Sequence, residues 1–129
     1  MSLVRHAMCA MMPRSDALPG VIDADVDGYL RKLRHEATPI FRLGLWIGAL
    51  VFALTPLWTV GIPLPSILLS RFQLDRHASR IVDSNNYLLR QAVFLVRLNA
   101  GLCWGADAAV RARFALAPYP PDPGTFRQA

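Results

Sequence analysis

The chain's reactive side chains are few and scattered. Cys9 and Cys103 lie far apart and form no CxxC, so the sequence spells neither a dithiol nor a zinc site. His6, His35 and His77 form no HExxH or HxxxH pair, and no GxGxxG, GxxxxGK[ST] or GxSxG motif occurs. His77 sits in the run Asp75-Arg76-His77-Ala78-Ser79-Arg80. Neighbouring cations depress a histidine's affinity for protons. No second ligand has metal-site spacing, so His77 reads as a surface or interface histidine. Cys103, next to Trp104, reads as a buried structural thiol, since cysteine packs as a small hydrophobe. No catalytic residue, cofactor-binding residue or metal ligand is assigned.

The arginines carry more information. Of 14 Lys+Arg only Lys32 is a lysine, against 9 Asp+Glu and a net charge of +5. Arginine suits carboxylate and phosphate forks. Arg90 and Arg97 lie seven residues apart in an otherwise apolar stretch, hence on one helical stripe about two turns apart. Two readings stand side by side. The stems cover apolar surface while the heads reach lipid phosphates or water, or the guanidinium forks pair with acidic groups of a partner subunit. A nucleic-acid partner is not expected despite a pI near 10.0, because the cations alternate with apolar runs instead of forming one basic face.

These residues sit in 129 residues, one domain's worth. Hydrophobic residues make up 53% and charged residues 18%, with a mean hydropathy of +0.30. Soluble domains average about 25% charge. The composition excludes a disordered tail, a coiled coil and a disulfide scaffold. It points to an all-α, small, membrane-associated or subunit-type protein.

Three regions are expected. Residues 1–20 read as an irregular N-terminal arm, interrupted by Pro13, Pro19 and Gly20. Residues 21–117 read as a helical domain. Its first helix, over 22–37, is capped by Asp23 or Asp25 and places Val26, Tyr29, Leu30 and Leu33 on one face. Thr38-Pro39 breaks or restarts it. Residues 43–70 contain no charged side chain, long enough for the ~20 apolar residues of a spanning helix. Thr55-Pro56 interrupts the run, and Gly61 with Pro63 and Pro65 ends it. A kinked span, a re-entrant hairpin and a helix buried against protein all fit. Cations flank both ends, so the positive-inside rule selects no orientation. Trp46 and Trp58 suit a membrane interface, with core packing as the alternative.

Residues 71–83 read as a polar connector with a short helix from Asp75. Residues 84–104 read as the clearest helix, capped by Ser84, and Asp107 starts a short last one. Residues 118–129 read as an extended Pro-rich arm, with Tyr119 and Phe126 as aromatic anchors for a partner.

From Arg71 onward the order of features, RF, DRHASRI, YLLRQAVFLVRLNA, WGADAAVRARFAL and PYPPDPGTFR, resembles the small-subunit or N-terminal-extension region found with GMC-type FAD-dependent alcohol dehydrogenases and long-chain alcohol oxidases. The earlier LPGVIDADVDGYLRKL and FRLGLWIGAL extend the resemblance over residues 17–127. It implies a noncatalytic chain beside a large FAD-binding dehydrogenase subunit, a lipophilic alcohol or sterol-like substrate, and a quinone or cytochrome electron acceptor. FAD and chemistry would belong to the partner, at the bacterial inner membrane. An accessory structural subunit of a respiratory or photosynthetic membrane complex fits the same composition.

Overall fold

The computed structural model describes residues 1–121. These form seven α-helices and no strand: α1 Ser2–Met11, α2 Val26–Glu36, α3 Pro39–Leu54, α4 Pro56–Val60, α5 Arg71–Val82, α6 Tyr87–Ala106 and α7 Ala108–Arg113. Single 3₁₀ turns at Val21–Asp23 and Ser66–Leu68 link them. The all-α expectation holds.

The N-terminus departs from the irregular arm expected over residues 1–20. Val4, Ala7, Met8 and Ala10 share one face of α1, and all four are buried. The short apolar run around Cys9 is core material, and α1 packs against α3, α5 and α6. Breakers act only after Met11. The chain then turns back through the Val21 N–H to Met12 carbonyl bond of 3.0 Å and an Arg14–Asp23 ion pair.

Local chemistry sets most boundaries. Asp25 caps α2, accepting from the Gly28 N–H at 2.9 Å. Thr38 caps α3, with Pro39 at its first position. The α5 helix begins at Arg71, earlier than Asp75, because Ser70 and Gln73 form a reciprocal capping box. The α6 helix starts after Asn86, whose side chain accepts from the Leu89 N–H at 3.2 Å. The Ser84 hydroxyl accepts from the Asn86 N–H and shapes the preceding turn. Asp107 caps α7 by accepting from the N–H groups of Ala109 and Val110.

The charge-free stretch 43–70 is not one long element. The α3 helix stops at Leu54, α4 restarts at Pro56 for five residues, and Gly61 ends it at φ 73°. No helix among the described residues is long and apolar enough to cross a membrane. The interruption expected at Thr55-Pro56 is present, and it divides the stretch into two helices. Proline removes a helix N–H and a glycine stop follows five residues later, so the run folds back on the domain.

The core lies between α1, α3 and α6, with α3–α6 the most extensive pairing. Leu45, Ala49 and Phe52 of α3 meet Val93, Val96 and Ala100 of α6, together with Val4, Met8 and Ile81. Gly48 lets the two helices touch, since a Cβ there would lie 2.2 Å from the Ala92 carbonyl oxygen. Asn99, buried in α6, donates to the Leu95 carbonyl and accepts from the Tyr29 hydroxyl at 2.8 Å.

Candidate functional site

Two constellations stand out, one internal and one on the surface. The internal one is centred on His77, which is fully buried. Its Nε2 donates to the Phe52 carbonyl at 2.8 Å. In a continuous helix that carbonyl would accept from residue 56, which is proline and has no N–H. His77 supplies the missing donor from α5. Its Nδ1 meets the Thr59 hydroxyl, and Arg80 donates to the Thr59 carbonyl at 2.7 Å. The imidazole stacks on Phe52 at 4.5 Å between centroids, with His6 on Phe52 at 6.2 Å. His6 Nε2 in turn meets the buried Ser66 hydroxyl at 3.0 Å.

The expectation of a surface histidine is therefore corrected: Pro56 creates a buried acceptor that only a buried donor can satisfy. Burial holds the His77 pKa low, opposed by the Phe52 carbonyl and reinforced by His6. Neighbouring arginines are not the cause. The cluster can brace the α3–α4 elbow. Ser66 and His77 have no exposed surface, while His6 is half-buried and lines a groove with Cys9 and Asp75. No group of His, Cys, Asp and Glu among the described residues is arranged to hold a metal ion. Cys103 is buried, and burial pushes its thiol up to about 11.

The surface constellation follows the α3–α6 seam. Ile40, Ile47 and Leu54 form a sevenfold row on α3, each at least 45% exposed. Leu88, Leu95 and Leu102 form a matching row on α6, with Leu88 and Leu102 exposed and Leu95 half-buried. The seam itself is marked by Gly44, whose Cβ would lie 3.1 Å from Leu95, and by Gly48 against Ala92. The two rows border its solvent side, and neither carries a charge. A groove reaches this surface at Leu102, lined by Tyr29, Leu33 and Phe41 together with the charged Lys32 and Glu36. A second apolar group runs along the α4–α5 hairpin, where Trp58 and Phe72 are each 75% exposed.

The expected contact residues are not gathered into one place. Arg90 is exposed and donates to the Ser84 carbonyl at 3.0 Å, holding the α5–α6 turn. Arg97 is exposed and lines a groove with Asp75 and Asp83. Trp46 is about half exposed on the outer side of α3. Trp104 packs edge-on against Phe114 and donates to the Pro19 carbonyl at 2.7 Å. Tyr119 lies under the Arg111 guanidinium, 4.0 Å from its ring centroid, while Arg111 Nε donates to the Ala117 carbonyl. Phe126 and the remainder of the Pro-rich arm from 122 to 129 lie outside the described residues. The heptad rows were present in the sequence as 40/47/54 and 88/95/102. The His77–Pro56 relation had no local signal.

Comparisons with protein-family models, curated proteins and solved structures return no match to this chain.

Proposed function

We propose that this chain is a noncatalytic helical subunit that docks through its α3–α6 face onto a larger chain of a membrane-associated complex. The observation that carries the reading is the pair of uncharged apolar rows left in solvent beside the core's main seam. Small globular domains rarely leave large contiguous apolar patches without a partner. Alternating exposed apolar positions at helical spacing are the pattern a helical partner face uses. The partner class comes from the resemblance of residues 17–127: a large FAD-binding GMC-type dehydrogenase subunit oxidising a lipophilic alcohol or sterol-like substrate at the bacterial inner membrane. It would pass electrons to a quinone or cytochrome. FAD and the reacting groups then belong to the partner. Tyr119 is held against Arg111 at the start of the Pro-rich arm, while Arg97 lies in the groove with Asp75 and Asp83, away from these rows, and is a separate expected contact.

The test is purification of the tagged native chain in mild detergent, with mass spectrometry and an absorption spectrum of the eluate. A stoichiometric large chain carrying flavin is expected. Haem or pigment proteins in its place would favour the accessory subunit of a respiratory or photosynthetic complex. An eluate without any partner would remove the subunit reading. Ile47→Asp with Leu102→Asp should release the partner, because both side chains point outward and two carboxylates would be desolvated at the interface.

A further inference from the structure

We infer that the α4–α5 hairpin, residues 57–76, is a monotopic lipid-binding element that seats the domain on an anionic membrane surface. This rests on the membrane-associated reading above and assigns it to one part of the chain. Six large apolar side chains between Leu57 and Phe72 are exposed: Leu57, Trp58, Leu64, Ile67, Leu68 and Phe72. They come from a five-residue helix, the loop after it, a 3₁₀ turn and the first turn of α5, so backbone alone cannot hold them in place. Side chains of the body do so instead. His77 and Arg80 grip Thr59, and His6 meets Ser66. The hairpin is a braced projection with apolar groups outward.

Charge selects the occupant. From Ala37 to Leu74 the sequence contains no carboxylate, while Arg42 and Arg71 are present. On α5, Phe72 and Arg76 lie one turn apart on the same exposed face, with Arg71 beside them at the helix start. Asp75, one turn after Arg71 on α5, is the one carboxylate of the hairpin and lines a groove with Arg71 and His6; with Asp83 it also lines the groove that contains Arg97. An apolar surface edged by arginines, with aromatic rings among aliphatic side chains, matches the boundary between acyl chains and phosphate headgroups. Tryptophan prefers that depth. No described helix is able to span, so the contact is with one leaflet.

The experiment is vesicle flotation of the full-length protein, using phosphatidylcholine vesicles with and without phosphatidylglycerol, and brominated acyl chains to quench tryptophan. Binding to the anionic vesicles is expected, weaker to the neutral ones, with quenching that Trp58→Phe reduces. Trp58→Ser with Phe72→Ser should weaken binding by more than about tenfold, since two inserted aromatic side chains are lost. Arg71→Glu with Arg76→Glu should abolish the preference for phosphatidylglycerol while leaving the apolar surface intact. Ile47→Ser with Leu102→Ser, on the α3–α6 face, should leave the Trp58 quenching and the preference for phosphatidylglycerol unchanged. If that last pair loses binding and the hairpin variants keep it, the hairpin assignment is overturned and the membrane reading survives on another surface. If the parent floats with neither vesicle, both are overturned. Equal binding to the two vesicle types would overturn the charge selection.

Discussion

His77 gives the molecule a pH dependence that can be derived from its surroundings. Burial depresses its pKa below the ordinary 6.5, so the unfolded chain takes up a proton that the folded chain resists. The same direction holds for His6, again through burial. The unfolded state thus binds more protons as pH falls through this range. Stability should be level above about pH 6.5 and decline below it, by up to about 1.4 kcal/mol per pH unit for each such histidine. Urea denaturation from pH 7.5 to 5 reads this directly, and His77→Gln should flatten much of the slope. A second residue-scale effect sits at the end of α7. Ala115 adopts φ 55°, where glycine normally serves, and the Leu116 N–H closes back on the Arg111 carbonyl at 3.0 Å. Ala115→Gly should raise stability by up to about 1 kcal/mol by relieving the left-handed conformation, visible as a higher Tm. A lower Tm would show that the flexibility glycine adds to the unfolded chain dominates.

At the scale of elements, the α3–α6 crossing is the most exacting contact. Gly48→Leu would drive a side chain into the Ala92 carbonyl and should destabilise by at least 1–3 kcal/mol, the usual range for overpacking. Chemical denaturation would report it, whereas Gly101→Ala, in the interior of α6 with open space around it, should stabilise by about 0.5–1 kcal/mol. Much of this layer was legible beforehand. Val26, Leu30 and Leu33 read as one face of a capped helix, and the helix holds Val26 and Leu30 buried. Asp107 read as the start of α7 and caps it. What failed to show was long-range. An apolar run of six residues at the N-terminus looks like an arm until α3 and α6 provide a surface for it. Ser70 was hidden at the end of a charge-free stretch whose hydropathy masked its capping role. The seam's glycines mark close helix contact only once the partner helix is known. His77 was assigned from its charged neighbours in sequence, but its environment is set by Pro56.

The described residues form a helical body that leaves many large apolar side chains in solvent. In aqueous buffer without detergent or partner, the isolated chain should self-associate through the α3–α6 rows, as large uncovered apolar patches do. Sedimentation velocity over a concentration series would show it, and Ile47→Asp with Leu102→Asp should shift the distribution to monomer. An unchanged monomer at all concentrations would mean that these rows are too weakly apolar to drive docking, and would weaken the subunit reading with it. The pattern of exposed residues was only half legible in the sequence. Hydropathy marked residues 43–70 as a unit, but folding divides them between core, exposed rows and hairpin. That division depends on which helix faces meet, and meeting faces are a property of the tertiary contacts.

The histidine that completes the proline elbow also sets an order of events. The Phe52 carbonyl receives its donor from a residue 25 positions further along the chain. While the polypeptide emerges from the ribosome, α3 and α4 are made before that donor exists. Until α5 has been synthesised and has docked, the elbow holds an open acceptor inside an apolar run and lacks its brace. The most hydrophobic part of the chain therefore reaches its final shape late, and a truncation before His77 should leave it sticky and open to chaperones and proteases, even though every residue of the apolar segment is present.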